Sequence, residues 1–184
     1  MDSYQDIRVL PDPEFTEAQL LAALFAKLHR ALGTRGKGDI GVSFPEYDKT
    51  PGGVLRLHGE RGALEALEAT RWRGGLNDYS AGSAIQAVPV DAVWRTVSRV
   101  QVKSSAGRLL RRSVRKGWLT EEEACQRLLS ARDSVSRLPF IQMRSLSSGQ
   151  SFRLFISLGA VAAAPVSGTF TSYGLSAVAT IPWF

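Results

Sequence analysis

Apolar residues recur at two periods along this 184-residue chain, and the switches between the periods divide it into elements. Residues 4–10 alternate, Tyr4, Asp6 and Arg8 against Gln5, Ile7 and Val9, which predicts a strand ended by Pro11 and Pro13. Thr16-Glu17-Ala18-Gln19 has capping-box spacing. It opens a predicted helix to about Leu32, with the apolar stripe Leu20, Leu21, Leu24, Phe25, Leu28 and Leu32 and Gly33 as its stop. Predicted strands follow at 39–44, ended by Pro45, and at 54–58. A second helix is expected over 62–72, then a glycine-rich loop (Gly74, Gly75, Gly82) and a fourth strand over 84–90. The order β-α-β-β-α-β predicts a ferredoxin-like (RRM-like) unit over residues 1–91. Many RNA-binding domains share that unit, but fold alone licenses no function.

Residues 92–184 follow a different logic. From 94 to 103 the alternation predicts one strand, with Trp94, Thr96, Ser98, Val100 and Val102 on one face and Arg95, Val97, Arg99, Gln101 and Lys103 on the other. After Ser104 and Ser105, either a fitting N-cap, the period becomes helical. Arg108, Arg111, Arg112, Arg115 and Lys116 then share an arc of roughly 140°, opposite Leu109, Leu110, Ser113 and Val114. Thr120-Glu121-Glu122-Glu123 is a second capping box, starting a helix to about Arg132. Strands are expected at 140–144, 151–156, 168–173 and 178–184, with a tight turn at Ser148-Gly149. The expected class is therefore α+β: a ferredoxin-like domain (1–91), then a β-rich C-terminal domain (92–184) carrying an arginine-rich helix.

Charge sharpens this division. Between Ala92 and Thr120 there are eight basic residues and no acidic one, within a chain of 23 Lys+Arg and 17 Asp+Glu. The window contributes +8 and the remainder −2 to the net +6. A concentrated positive patch on a balanced protein suits a polyanion, because neutralising phosphates releases condensed counterions. Arg99 and Gln101 have head groups suited to bidentate pairing with G and A edges. A single cysteine, Cys125, rules out an internal disulfide and reads as a small core residue; two histidines offer no metal-ligand cluster. With no secretory leader pattern and no membrane-length apolar run, a cytoplasmic protein that makes no membrane contact is expected.

Few residues offer chemistry. His29 lies about 40° beyond Phe25 on the helical wheel, at the stripe's border and in the last turn, where it is either functional or simply a cation favoured by the helix terminus. His58 shares its strand face with Arg56 and reads as surface decoration. The run Arg144-Ser145-Leu146-Ser147-Ser148-Gly149-Gln150-Ser151-Phe152 offers hydroxyls, a turn glycine and a ring, but no nucleophile elbow, and hydroxyls there are also ordinary turn formers. Tyr173 by itself is an exposed aromatic on a strand. The residues alone support an RNA-binding protein and leave open a nuclease, a non-catalytic hairpin binder and a DNA-binding module.

The segments in combination resemble the Csy-type (type I-F) CRISPR repeat-RNA endoribonucleases. The pieces are Asp6-Ile7-Arg8 with Pro11-Asp12-Pro13-Glu14-Phe15, Lys27-Leu28-His29, Ile40-Gly41-Val42-Ser43-Phe44-Pro45, Val97-Ser98-Arg99-Val100-Gln101, the arginine helix and Leu119-Thr120-Glu121-Glu122-Glu123-Ala124. They continue in Arg144-Ser145, Ser148-Gly149-Gln150, Phe152-Arg153-Leu154-Phe155-Ile156, Tyr173-Gly174-Leu175-Ser176 and Pro182-Trp183-Phe184. The resemblance implies an endoribonuclease needing neither metal nor cofactor, which cuts CRISPR repeat transcripts at the 3′ base of a hairpin. It also implies that the enzyme keeps the hairpin RNA as a subunit of a surveillance complex.

Residue by residue, the resemblance makes His29 the catalytic histidine, Ser145 the serine holding the attacking ribose hydroxyl, and Tyr173 the tyrosine orienting the histidine. Arg99 and Gln101 would read purines at the stem's foot, and Phe152 would stack beneath the last base pair. Arg112, Arg115 and Lys116 align with a helix set in the hairpin's major groove. Arg108 and Arg111 extend its basic face, and Ser147 and Ser148 are further expected RNA contacts. The chemistry suits these residues, since RNA supplies its own 2′-OH nucleophile and needs only a neutral imidazole as base and a hydroxyl to place the sugar. Three departures (Lys116 where arginine is familiar, Leu110 and Ser113 thinning the basic cluster, Ser148 in place of threonine) bear on affinity and hairpin preference rather than on the reaction.

Overall fold

The computed structural model describes residues 1–101, 114, 116–117, 120, 122–123, 137–145 and 147–184. Its first part comprises β1 (Ser3–Val9), α1 (Glu17–Arg35), β2 (Gly41–Ser43), β3 (Val54–Gly59), α2 (Arg61–Glu68), β4 (Ser80–Gly82) and β5 (Gln86–Ala87). The strands form an antiparallel sheet in the order β2-β3-β1-β4, with β5 also paired to β1. Thr16 caps α1 as its spacing predicts: its hydroxyl accepts the Gln19 N–H at 3.3 Å, while Gln19 Oε1 accepts the Thr16 N–H at 2.9 Å. The buried residues of α1 are the six of the predicted stripe. Each contributes roughly 1.5–3 kcal/mol of burial before chain entropy is charged.

Several boundaries differ from the periodicity. The helix runs through Gly33 and stops at Gly36, whose left-handed φ of 65° lets its N–H reach Leu32 O at 2.9 Å. An interior glycine costs a helix about 1 kcal/mol, and the last turn is secured by the bidentate pairing of Arg35 with Asp39. The second helix ends at Glu68, and its expected last turn is a series of tight turns in which Arg71 takes a φ of 52°. In place of one strand over 84–90 there are two short ones, β4 and β5. Between them Ser83 bonds the Asp6 backbone with both its N–H and its hydroxyl, and Pro89 lacks the donor a continued ladder needs.

His58 is the clearest correction: it is fully buried, not exposed. The face of the sheet carrying Arg56 and His58 is roofed by the end of the chain. Phe184 lies edge-on to His58, and the Arg56 guanidinium sits 4.8 Å from the Tyr4 ring and 4.1 Å from that of Phe184 while pairing with both Asp6 oxygens. Gly41 has no side chain because Ile181 and the Phe170 ring occupy the space above it. A strand period shows which residues share a face, not whether that face is covered.

The second part holds β6 (Val93–Arg95), β7 (Val97–Val100), β8 (Phe140–Arg144), β9 (Ser151–Leu158) and β10 (Ile181–Trp183). The strand expected over 94–103 is broken at Thr96, since β6 pairs with β10 whereas β7 joins a second sheet ordered β7-β9-β8. Strand pairing ends at Val100, leaving Gln101 exposed beyond it. The hairpin of β8 and β9 follows the predicted strands, and Gly149 makes its turn with φ 67°. Residues 168–173 form a loop rather than the predicted strand, and the last expected strand shortens to β10. The arginine helix and the helix holding Cys125 lie outside the described residues apart from Val114, Lys116, Glu122 and Glu123. The second capping box is made: Thr120 and Glu123 exchange bonds of 3.3 and 3.2 Å. Among the described residues, no helix is long and apolar enough to cross a membrane.

Candidate active site

The site is built where the last turns of α1 meet a tight turn at residues 171–175. Thr171 organises that turn, since its N–H and hydroxyl both donate to Leu175 O, at 3.0 Å each. Its carbonyl accepts the Gly174 N–H at 2.8 Å, and its hydroxyl accepts the Tyr173 N–H at 3.3 Å. Gly174 has φ 69°, and a Cβ there would run into Val42. The turn is then stitched to both sheets: Val42 of β2 donates to Gly174 O at 2.8 Å, and Ser176 donates to Val97 O of β7 at 2.9 Å.

Two neighbours in this turn hold His29. Its Nδ1 lies 3.1 Å from Ser172 O, and its ring stacks on Tyr173 at 3.9 Å between centroids and 3° between planes. A carbonyl oxygen only accepts, so Nδ1 carries the proton and donates it to Ser172 O. In neutral imidazole that leaves the Nε2 lone pair free to accept a proton. Phe25, one turn earlier in α1, backs Tyr173 at 6.1 Å. Tyr173 thus belongs to a turn, not to the predicted strand, and its ring is half-buried.

Arg99 extends the stack. Its guanidinium lies 5.3 Å from the Tyr173 ring and 5.4 Å from the Phe152 ring, within cation–π range of both. Its Nε is buried without a hydrogen-bond partner. His29, Tyr173, Arg99 and Phe152, far apart in sequence, therefore form one chain of ring and guanidinium contacts. Ser145 follows β8, and its contacts stay within its own turn: Ser147 Oγ at 3.2 Å and the Ser148 N–H at 3.3 Å. Arg144 Nε braces the same turn by donating to Gly149 O at 3.0 Å.

The predicted residues thus fall into three groups. His29, Tyr173, Arg99 and Phe152 come together; Ser145, Ser147 and Ser148 share the turn preceding β9, the strand that carries Phe152; Arg108, Arg111, Arg112 and Arg115 lie outside the described residues. Lys116, which is described, is exposed beside Gly117, whose φ of 68° and N–H bond to Val114 O suit a helix end. The sequence gave no sign of the Ser172 carbonyl or of Thr171. A glycine after Tyr173 was the available signal that a turn, not a strand, presents that ring.

Comparison with known proteins agrees with this arrangement. A family model described as "CRISPR-associated protein (Cas_Csy4)" matches residues 4–184. Two proteins, each named CRISPR-associated endonuclease Cas6/Csy4, align along their whole length with the whole of this chain: one from Escherichia coli (strain UTI89 / UPEC) at 61% identity, the other from Pseudomonas aeruginosa (strain UCBPP-PA14) at 47%. With its sequence matched from end to end and its candidate residues gathered at one site, the chain belongs to the Cas6/Csy4 family of CRISPR-associated endonucleases.

Proposed function

We propose that this chain processes CRISPR repeat transcripts, cutting each at the 3′ base of a hairpin and keeping the mature guide RNA as a subunit of a type I-F surveillance complex in the cytoplasm. His29 Nε2 takes the proton of the ribose 2′-OH; the 2′-oxygen attacks the adjacent phosphorus, and the P–O5′ bond breaks. The products are a 2′,3′-cyclic phosphate and, once the leaving oxygen is protonated, a 5′-OH. Ser145 holds the attacking sugar, Tyr173 orients the imidazole, Arg99 and Gln101 read the purines at the stem's foot, and Phe152 stacks beneath it. Ser147 and Ser148 add contacts in the same turn, while Arg108, Arg111, Arg112, Arg115 and Lys116 bind phosphates along the stem. In this scheme residues 1–91 are a ferredoxin-like domain that supplies His29, and residues 92–184 recognise the RNA.

The observation that carries the reading is the double hold on His29, by a carbonyl on Nδ1 and a parallel ring on its face, which directs Nε2 to act as base. The reaction as drawn needs no metal, because the nucleophile comes from the substrate. The test is incubation with a repeat hairpin RNA in EDTA. Wild type is expected to make one cut, and His29→Ala none, with hairpin affinity kept within a few-fold. Retention without cutting by the wild type would instead identify a non-catalytic hairpin binder, and a wild-type rate from His29→Ala would remove the histidine from its role.

A further inference from the structure

The turn that holds His29 also forms one wall of a cleft that none of the roles above uses. The cleft encloses about 340 Å³ and lies between the end of α1 (Gly33, Gly36, Lys37) and residues 169–172. Gly33 stands one helical turn past His29, about 5.4 Å along the axis. Ser172 belongs to both places: its carbonyl faces His29 Nδ1, and the residue lines the cleft.

The lining has the chemistry of a subsite. The Lys37 ammonium and the Thr169 and Ser172 hydroxyls have no hydrogen-bond partners among the described residues, although the backbone around them is well bonded (Gly38 O, for instance, accepts the Phe170 N–H at 3.0 Å). The carboxylate in the cleft, Asp39, is already engaged by Arg35, which leaves Lys37 as its exposed cation. The absence of a side chain at Gly33 keeps the floor low, since a Cβ there would reach 3.7 Å from Ser172 Cβ. Helix-end carbonyls and free hydroxyls suit the amino groups of a base and a ribose hydroxyl, and an exposed ammonium at the rim suits a phosphate.

We propose that this cleft receives the nucleotide immediately 3′ of the scissile phosphate, the first residue of the strand that leaves, with Lys37 on its 3′ phosphate. This rests on His29 being the base, because only then does the leaving strand start beside Ser172. The cleft would favour uncut transcript over product and empty when the strand departs, so the retained hairpin does not depend on it.

The test compares two RNAs: a repeat hairpin ending at the cut site, and the same hairpin extended by several nucleotides and blocked by a 2′-deoxy sugar at the cleavage position. Wild type is expected to bind the extended RNA more tightly. Lys37→Glu should lose about fivefold in affinity for the extended RNA, the size of a reversed exposed charge contact, and bind the truncated hairpin like wild type. Gly33→Met, which fills the floor from a helical position, should act in the same way. Equal wild-type affinity for both RNAs, or an equal loss on both by Lys37→Glu, overturns the proposal. Failure of the parent reading is separable, because it would appear as undiminished cutting of an unblocked transcript by His29→Ala.

Discussion

Arg99 buries a guanidinium nitrogen with no hydrogen-bond partner. Leaving a buried polar group unpaired costs about 1–3 kcal/mol, and more when it is charged. The Phe152 and Tyr173 rings recover part of this cost through their π faces, and a base edge would supply the missing acceptor. Arg99→Ala should therefore relax the demand for a particular purine at the stem's foot by roughly 1–3 kcal/mol of discrimination. Dissociation constants for hairpins with altered closing pairs decide the matter; an equal loss on every stem would recast Arg99 as a packing or phosphate contact. The type and strand face of this residue were legible in the alternation of 97–100. Its cage was not, because the two rings arrive from β9 and from the 171–175 turn.

At the scale of elements, α1 and the 171–175 turn are complementary parts: one supplies the imidazole, the other fixes it. The helix was readable to its cap and to every buried residue, because local spacing dictates both. The turn was misread as strand, because its conformation is held by contacts with β2 and β7 rather than by any local period. Thr171→Val removes the hydroxyl that bonds Leu175 O and the Tyr173 N–H. With Ser172 O and the Tyr173 ring then free to drift, single-turnover cleavage should slow about tenfold or more, since displacements near 1 Å are costly in an active site. Hairpin affinity should stay within twofold, and Thr171→Ser should restore the rate. Cleavage by Thr171→Val at the wild-type rate would show that the turn needs no such clasp.

Over the whole molecule, one buried apolar cluster joins Ile7, Leu28 and Leu57 of the first part to Val97, Ile141, Leu154 and Ile181 of the second. The same burial traps His58 against Ser43 Oγ at 2.7 Å. Burial, then the nearby Arg56 guanidinium and the chain's amino terminus, lower its pKa from 6.5 to about 3. An unfolded chain takes up a proton below pH 6.5 that the native state refuses until about pH 3. The stability due to the neutral ring is therefore complete above pH 6.5 and declines as pH falls through that window, by up to about 1.4 kcal/mol per unit. Urea unfolding between pH 7 and 4 should show wild type losing stability faster than His58→Gln. Parallel curves would mean that the ring is protonated in the native state.

The sequence by itself determined what depends on near neighbours and on composition. That includes the capped α1 helix and its stripe, the β8–β9 hairpin, the concentration of charge between Ala92 and Thr120, and the residue types suited to RNA. Tertiary structure decided what depends on distant partners. It broke the strand at Thr96 because β10 and β9 compete for opposite sides of it, and it covered His58 with Phe184. It also delivered Tyr173 to His29 by tying a five-residue turn to two sheets. A period along the chain specifies a face, but only packing determines what that face meets.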